Sequence, residues 1–246
     1  MTKLARSGKF LLLWLGALLM AAASQAQTRP PNVEQLAKTY GLDDWGKIDA
    51  VRYTFNLDLP GLKLKLARTW TWEPKTGNVT YESTDKDGKP VKVSYNRNQL
   101  SSAPDNVKND IDPGFNNDNY WFIFPFHVYW DTSANVTVKE KEKLPIGKGT
   151  ATLVSVKYPA ELGGYTPGDT WNLYVGADGR VVQFIYLRGG PKKPSNVTTT
   201  WAGYKKAGPL LVSTDHRGTA DGKPARIFFT NVAYKLTGSD KWMDAQ

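Results

Sequence analysis

Val51-Arg-Tyr-Thr-Phe-Asn-Leu-Asp-Leu-Pro-Gly-Leu-Lys-Leu-Lys-Leu-Ala-Arg-Thr-Trp-Thr-Trp72 is the stretch that decides the fold class. Successive side chains of a strand point to opposite faces, so an apolar period of two marks a half-buried strand. Val51, Tyr53, Phe55, Leu57 and Leu59 alternate with Arg52, Thr54, Asn56 and Asp58. Pro60-Gly61 turns the chain, and Leu62, Leu64, Leu66, Arg68, Trp70 and Trp72 then alternate with Lys63, Lys65, Ala67, Thr69 and Thr71. The pattern predicts a long antiparallel hairpin with one apolar face.

Outward from this hairpin the same period recurs. Strands are expected near Asn78 to Ser83, Lys89 to Tyr95, Ala134 to Lys141, Gly149 to Tyr158, Thr170 to Val175, Val181 to Arg188, Val197 to Tyr204, Leu210 to Asp215 and Ala225 to Leu236. Turn signals separate them: Asp87-Gly88, Gly163-Gly164, Asp178-Gly179, Gly189-Gly190-Pro191 and Asp221-Gly222. The run Tyr120-Trp-Phe-Ile-Phe-Pro-Phe-His-Val-Tyr-Trp130 is the densest in aromatic residues. Read as a strand from Tyr120 to Asp131, it puts Tyr120, Phe122, Phe124, Phe126, Val128 and Trp130 on one face. Trp121, Ile123, His127 and Tyr129 fall on the other. Both faces are then apolar, which predicts a strand covered on both sides or lining a cavity.

Ahead of the strands, Pro30-Pro31 opens a short amphipathic helix, with Asn32 and Gln35 as a capping box and Val33, Leu36, Ala37 and Tyr40 on one face. Gly41 stops it. A second helical turn over Leu42 to Ile48 would place Trp45 against the sheet. The segment from Gln99 to Asn119 breaks the strand rhythm with Pro104, Pro113, Gly114 and many Asn and Asp residues. It predicts a lid, as a loop or short second helix, over the open side of the sheet. About a dozen strands with one helix pack as a strongly curved antiparallel sheet, mainly β, forming an open half-barrel with a lid segment.

The chain begins with Lys3, Arg6 and Lys9, an apolar stretch from Phe10 to Ala23, and Ser24-Gln25-Ala26. This is the pattern of an export signal cleaved after Ala26, too short for a comfortable membrane span. Cleavage leaves residues 27–246 as a single β domain and lowers the net charge from +9 to +6. The expected location is therefore the periplasm or the exterior. The absence of cysteine rules out disulfides and a lipidated cysteine anchor.

Chemical motifs are sparse. There is no GxSxG turn, no cysteine nucleophile and no HExxH, and the histidines, His127 and His216, lie far apart. His127 reads as a packed ring and His216 as a residue at a strand end or turn. The acidic cluster Asp105, Asp110, Asp112 and Asp118 has the composition of a calcium loop, but Pro113 and the spacing break that pattern. No glycine-rich loop opens a helix to cradle phosphate, and the alternating charges of Lys139-Glu140-Lys141-Glu142-Lys143 describe a solvated strand rather than a nucleic-acid surface. The Asn-Val-Thr triplets at Asn78, Asn135 and Asn196 match glycosylation acceptors, which has meaning only in a eukaryotic secretory pathway. No metal, cofactor or nucleic acid is expected, and the protein is expected to be a non-catalytic monomer.

Two features remain. Arg68 sits on an apolar row between Leu66 and Trp70, so its guanidinium either pairs internally or meets a ligand head group. The aromatic load is the second. A cavity lined by Trp70, Trp72, Tyr120, Phe122, Phe124, Phe126 and Trp130, with Arg68 at its polar end, is the candidate ligand site. A buried acyl chain contributes about 0.8 kcal/mol per methylene, so a lipid binder needs little polar chemistry.

Val51 to Phe55, Arg68-Thr-Trp-Thr-Trp-Glu-Pro74, Phe115-Asn-Asn-Asp-Asn-Tyr-Trp-Phe-Ile-Phe-Pro-Phe126 and Trp171-Asn-Leu-Tyr-Val-Gly-Ala-Asp-Gly-Arg180 together resemble exported bacterial proteins of the lipoprotein-carrier-like (LolA/LolB-like) superfamily. The resemblance implies an open, curved sheet closed by a helical lid over a hydrophobic cavity. It also implies an inward arginine that latches the lid, for which Arg68 is the nearest residue, and a lipid or acylated ligand in the cavity, with an envelope protein as a further candidate partner. The alternatives are an envelope interaction module with an exposed aromatic face, and a hydrolase built on a carboxylate pair.

Overall fold

The computed structural model describes residues 30–161, 166–190 and 193–246. The expected export signal and the Gly163-Gly164 turn lie outside these residues. Among the described residues the protein is mainly β, built on one antiparallel sheet. Its strands are β1 (Ile48–Leu59), β2 (Leu64–Glu73), β3 (Asn78–Thr84), β4 (Pro90–Asn96), β5 (Asn135–Lys143), β6 (Thr150–Lys157), β7 (Thr170–Val175) and β8 (Val181–Arg188). They continue with β9 (Ser195–Thr200), β10 (Ala202–Ala207), β11 (Leu210–Ala220), β12 (Lys223–Leu236) and the short β13 (Met243–Asp244). The spatial order is β4-β3-β2-β1-β12-β11-β9-β8-β7-β6-β5, with β10 on β11 and β13 on β12. The first and last long strands pair at the centre, and β4 and β5 are the open edges. The sheet is not closed into a barrel.

The opening hairpin folds as its period requires. Val51, Tyr53, Phe55 and Leu57 stand opposite Trp72, Trp70, Arg68 and Leu66, so the two apolar rows share the inner face. On the other face Thr54 Oγ1 and Thr69 Oγ1 are 2.8 Å apart, and Thr80 Oγ1 and Ser94 Oγ 2.9 Å. Bulges contribute to the curvature. In β12, Arg52 opposes Ala233 but Thr54 opposes Thr230, and Asn231 takes up the extra residue at φ 51°. A matching slip in β5 is absorbed by Lys141 at φ 58°. Asp221-Gly222 is a two-residue hairpin loop with both residues at positive φ, as this pair favours.

Helix α1 (Pro31–Thr39) buries Val33, Leu36 and Ala37. Its start corrects the expected capping box: Pro31 occupies the first turn, where its missing N–H costs nothing, and no side chain caps the helix. Gly41 ends it at φ 103°, and its hydrogen faces the Pro209 carbonyl so closely that a Cβ would meet that oxygen at 2.4 Å. The turn Leu42–Lys47 brings Trp45 onto Trp72, Phe126 and Trp130.

The aromatic run departs from its expected form. Residues 120–130 are not a strand but the C-terminal part of helix α2 (Asp112–Trp130), which follows a π-helical turn at Val107–Ile111. The reason is topological. β4 and β5 are opposite edges of the sheet, so the segment joining them has to cross its inner face, and a helix satisfies its own backbone hydrogen bonds while doing so. A helix enclosed on every side is apolar all round and loses its 3.6-residue signature. Pro125 cannot donate a backbone hydrogen bond, and the helix kinks at Ile123 (φ −129°, ψ 31°). The expected lid segment is thus partly helical, and the helix continues through the residues read as a strand.

Candidate functional site

Helix α2 is seated by aromatic packing and by three carboxylates, two buried and one half-buried. Phe122 stacks on Tyr53 at 4.2 Å and packs against Phe229. Phe124 stacks on Trp171 at 4.3 Å, and Trp121 packs edge-on to Phe184. Phe115 meets Trp70 and Trp72. The two halves of the sheet therefore grip the same helix.

The carboxylates fix its rotation and depth. Asp118 is fully buried, and burial pushes its carboxyl above the ordinary range, against the pull of the partners that hold it. Arg68 donates to it from Nε at 2.8 Å and from Nη2 at 2.5 Å, Trp70 Nε1 donates at 2.8 Å, and Asn117 Nδ2 at 3.0 Å. Asp112, equally buried, accepts from Arg97 Nε at 2.9 Å and from the Tyr95 hydroxyl at 3.0 Å; Arg97 also donates to Asn116. At the far end, Asp131 accepts from the hydroxyls of Tyr120 and Tyr158, both at 2.6 Å. Burial works against this charge, but hydrogen bonds from His127, Tyr120 and Tyr158 hold the carboxyl below its usual range. His127 stacks on Tyr120, with Nδ1 3.4 Å from Asp131 and Nε2 2.9 Å from Asn119 Oδ1.

The residues singled out from the sequence therefore lie along the seam between α2 and the sheet. Trp70, Phe122, Phe124 and Phe126 are in the core, Tyr120 is 8% exposed, and Trp72 and Trp130 pack on its margin. Arg68 joins them through its pair with Asp118 and lies over Phe55. Sequence reasoning passed over Arg97, whose position after β4 carries no periodic signal.

An open space lies beside this seam. A groove of about 540 Å³ runs between α2 and one end of the sheet. Its inner wall is Phe55, Leu57, Trp121, Tyr186, Val197, Ala225 and Ile227, and its mouth carries Leu62, Arg188, Lys193, Asp221 and Lys223. Asn117 and Trp121 come from α2, so the helix forms one wall. A more polar pocket of about 380 Å³, which includes Tyr120, Thr166 and Asp169, adjoins it through Asn117, Tyr186 and Arg188. None of the eight sequence-selected residues lines the larger groove, and Tyr120 alone lines the smaller pocket. Phe55 and Leu57 were legible as inward residues of β1, whereas Tyr186, Val197 and Ile227 meet them only through the pairing of distant strands.

Fold and groove define an open antiparallel half-barrel with a helix across its inner face and an apolar cleft at one end. No protein-family model matches the chain, and no curated protein matches it. Among solved structures, a DUF1329 family protein from Desulfovibrio piger aligns at 10% identity over 85% of this chain and 94% of its own, with a TM-score of 0.44. A putative outer membrane lipoprotein-sorting protein domain from Vibrio parahaemolyticus aligns at 10% identity over 85% and 95%, with a TM-score of 0.43. A LolA superfamily protein from Nitrosomonas europaea aligns at 6% identity over 81% and 92%, with a TM-score of 0.40. Among the described residues no helix is long and apolar enough to cross a membrane.

Proposed function

We propose that this is an exported, periplasmic binding protein for a lipid or another ligand with a long apolar chain, and that it acts without catalysis. The groove is the observation that carries this reading. Its size is within the range of small-molecule sites, its wall is apolar, and its polar groups gather at the mouth, where a head group would remain in water. A linear chain fits such a cleft because each methylene removed from water contributes about 0.8 kcal/mol.

In this reading α2 is the lid. Arg68, Trp70 and Trp72 belong to the surface it covers, Tyr120, Phe122, Phe124, Phe126 and Trp130 are its own side chains facing that surface, and a bulkier ligand reaches both sets by lifting it. Arg68 is the clasp in the closed arrangement, through Asp118. A donor or acceptor protein of the envelope would deliver or remove the ligand, with the carrier acting as a monomer.

Native mass spectrometry of the protein isolated from its own envelope tests the proposal. A defined adduct that extracts as a lipid is expected. A bare mass that persists after incubation with fatty acids and phospholipids would overturn the reading. Ala225→Phe, which fills the groove wall, is expected to weaken uptake of a fluorescent fatty acid by roughly tenfold or more. Arg68→Ala compared on an anionic and a neutral amphiphile separates two roles for the arginine. A larger effect on the anionic probe assigns it to the head group, and equal effects leave it as the clasp of α2.

A further inference from the structure

We infer that the end of the sheet at the groove mouth docks on an anionic lipid bilayer. The large hydrophobic side chains exposed among the described residues are Leu62 at 61%, Leu64 at 44% and Leu187 at 37%, and all belong to this end. Leu62 and Leu64 flank the turn between β1 and β2. Leu187 lies at the end of β8, between Tyr186 and Arg188, which line the groove with Leu62. Among the described residues the other large hydrophobic side chains of the sheet are buried or half-buried, so these three, gathered at one end, call for a partner.

Charge indicates which partner. Lys63, Lys65, Arg188, Lys193 and Lys223 are exposed on the adjoining turns. The acids among them are engaged locally: Asp58 lies 3.7 Å from Lys65, and Asp221 accepts from the Ser195 hydroxyl and the Asn196 backbone. The next turn, with Asp85 and Asp87 beside Lys86 and Lys89, is balanced. Separated leucines set among lysines suit a bilayer interface, where apolar tips enter the acyl boundary while ammonium groups meet anionic lipid heads. A protein partner would favour a contiguous aromatic patch and few lysines. Docked this way, the groove opens toward the membrane.

Flotation with vesicles of phosphatidylcholine, alone or mixed with phosphatidylglycerol, tests this. The wild type is expected to float with the mixed vesicles, poorly with the neutral ones, and less as salt rises. Leu64→Ser/Leu187→Ser and Lys63→Glu/Lys65→Glu alter exposed residues that do not line the groove. Each pair, on the same N-terminus as the wild type and with an unchanged melting temperature, is expected to weaken flotation by roughly tenfold or more. No flotation, equal flotation with both compositions, or variants that float like the wild type would overturn the inference. Uptake of a fluorescent fatty acid is read in parallel. Flotation without uptake removes the groove reading and leaves the docking surface, and uptake without flotation does the reverse.

Discussion

His216 shows how a single ring couples the core to pH. It is fully buried in β11 and stacks on Trp201 at 4.0 Å. Ser213 Oγ donates to the Ala202 carbonyl at 2.6 Å, so its lone pairs face His216 Nε2 at 3.1 Å, which must carry the proton. Nδ1 is buried with no hydrogen-bond partner. Burial lowers the pKa of His216 to about 3, with Asp215 next to it pulling weakly the other way. Because the folded value is depressed, the unfolded chain binds the extra proton first. Stability is full above the unfolded pKa of about 6.5 and falls by about 1.4 kcal/mol per pH unit as the pH drops toward 3. His216→Phe, which keeps the stack, is expected to flatten this dependence. Urea unfolding at pH 7.5 and 4.5 checks it, and an unchanged difference between the two pH values in the variant would discard the assignment. The sequence suggested a strand end or turn for His216. Asp215, His216 and Arg217 interrupt the apolar alternation, but Asp215 pairs on the surface with Arg217 and Arg226 while the strand runs on to Ala220.

At the scale of the element, α2 holds its place through contacts that are individually replaceable and jointly specific. Arg68→Ala leaves Asp118 buried without its principal counter-charge, a change that costs on the order of 3 kcal/mol. Hydrogen exchange along residues 115–130 is expected to accelerate in that variant, with Asp118→Asn giving a smaller effect because Arg68, 21% exposed, can turn to water. A loss below about 1 kcal/mol with unchanged exchange would mean that aromatic packing alone seats the helix. The same helix marks where sequence reasoning stops. The strands from Val51 to Trp72 were legible because one face meets water and keeps its polar residues. Residues 120–130 are buried apart from the half-buried His127, Tyr129 and Trp130, so neither period survives, and a buried strand and a buried helix look alike. Only the pairing order, which puts β4 and β5 at opposite edges, separates them. The candidate site was half legible for the same reason. Its aromatic residues and Arg68 stood out by type, while the groove depends on strands brought together from distant parts of the chain.

For the whole molecule, the pairing of β1 with β12 joins two arms, β1 to β4 on one side and the strands from β12 round to β5 on the other. Helix α2 spans both. Phe115 packs on Trp70 and Trp72 of the first arm, Trp121 and Phe124 on Trp171 and Phe184 of the second, and Phe122 on Tyr53 and Phe229 at the join. Neither arm retains a covered inner face if the helix leaves, so the two should not melt independently. Calorimetry is expected to give one transition, with calorimetric and van't Hoff enthalpies in agreement. Arg68→Ala is expected to lower its midpoint without splitting it, because the clasp stabilises a helix both arms require. A ligand bound in the groove, which Trp121 of α2 helps to line, should raise the midpoint of that same transition in proportion to the logarithm of its concentration. Two resolved transitions, with only one responding to ligand, would instead assign the arms to separate cooperative units and place the groove in one of them.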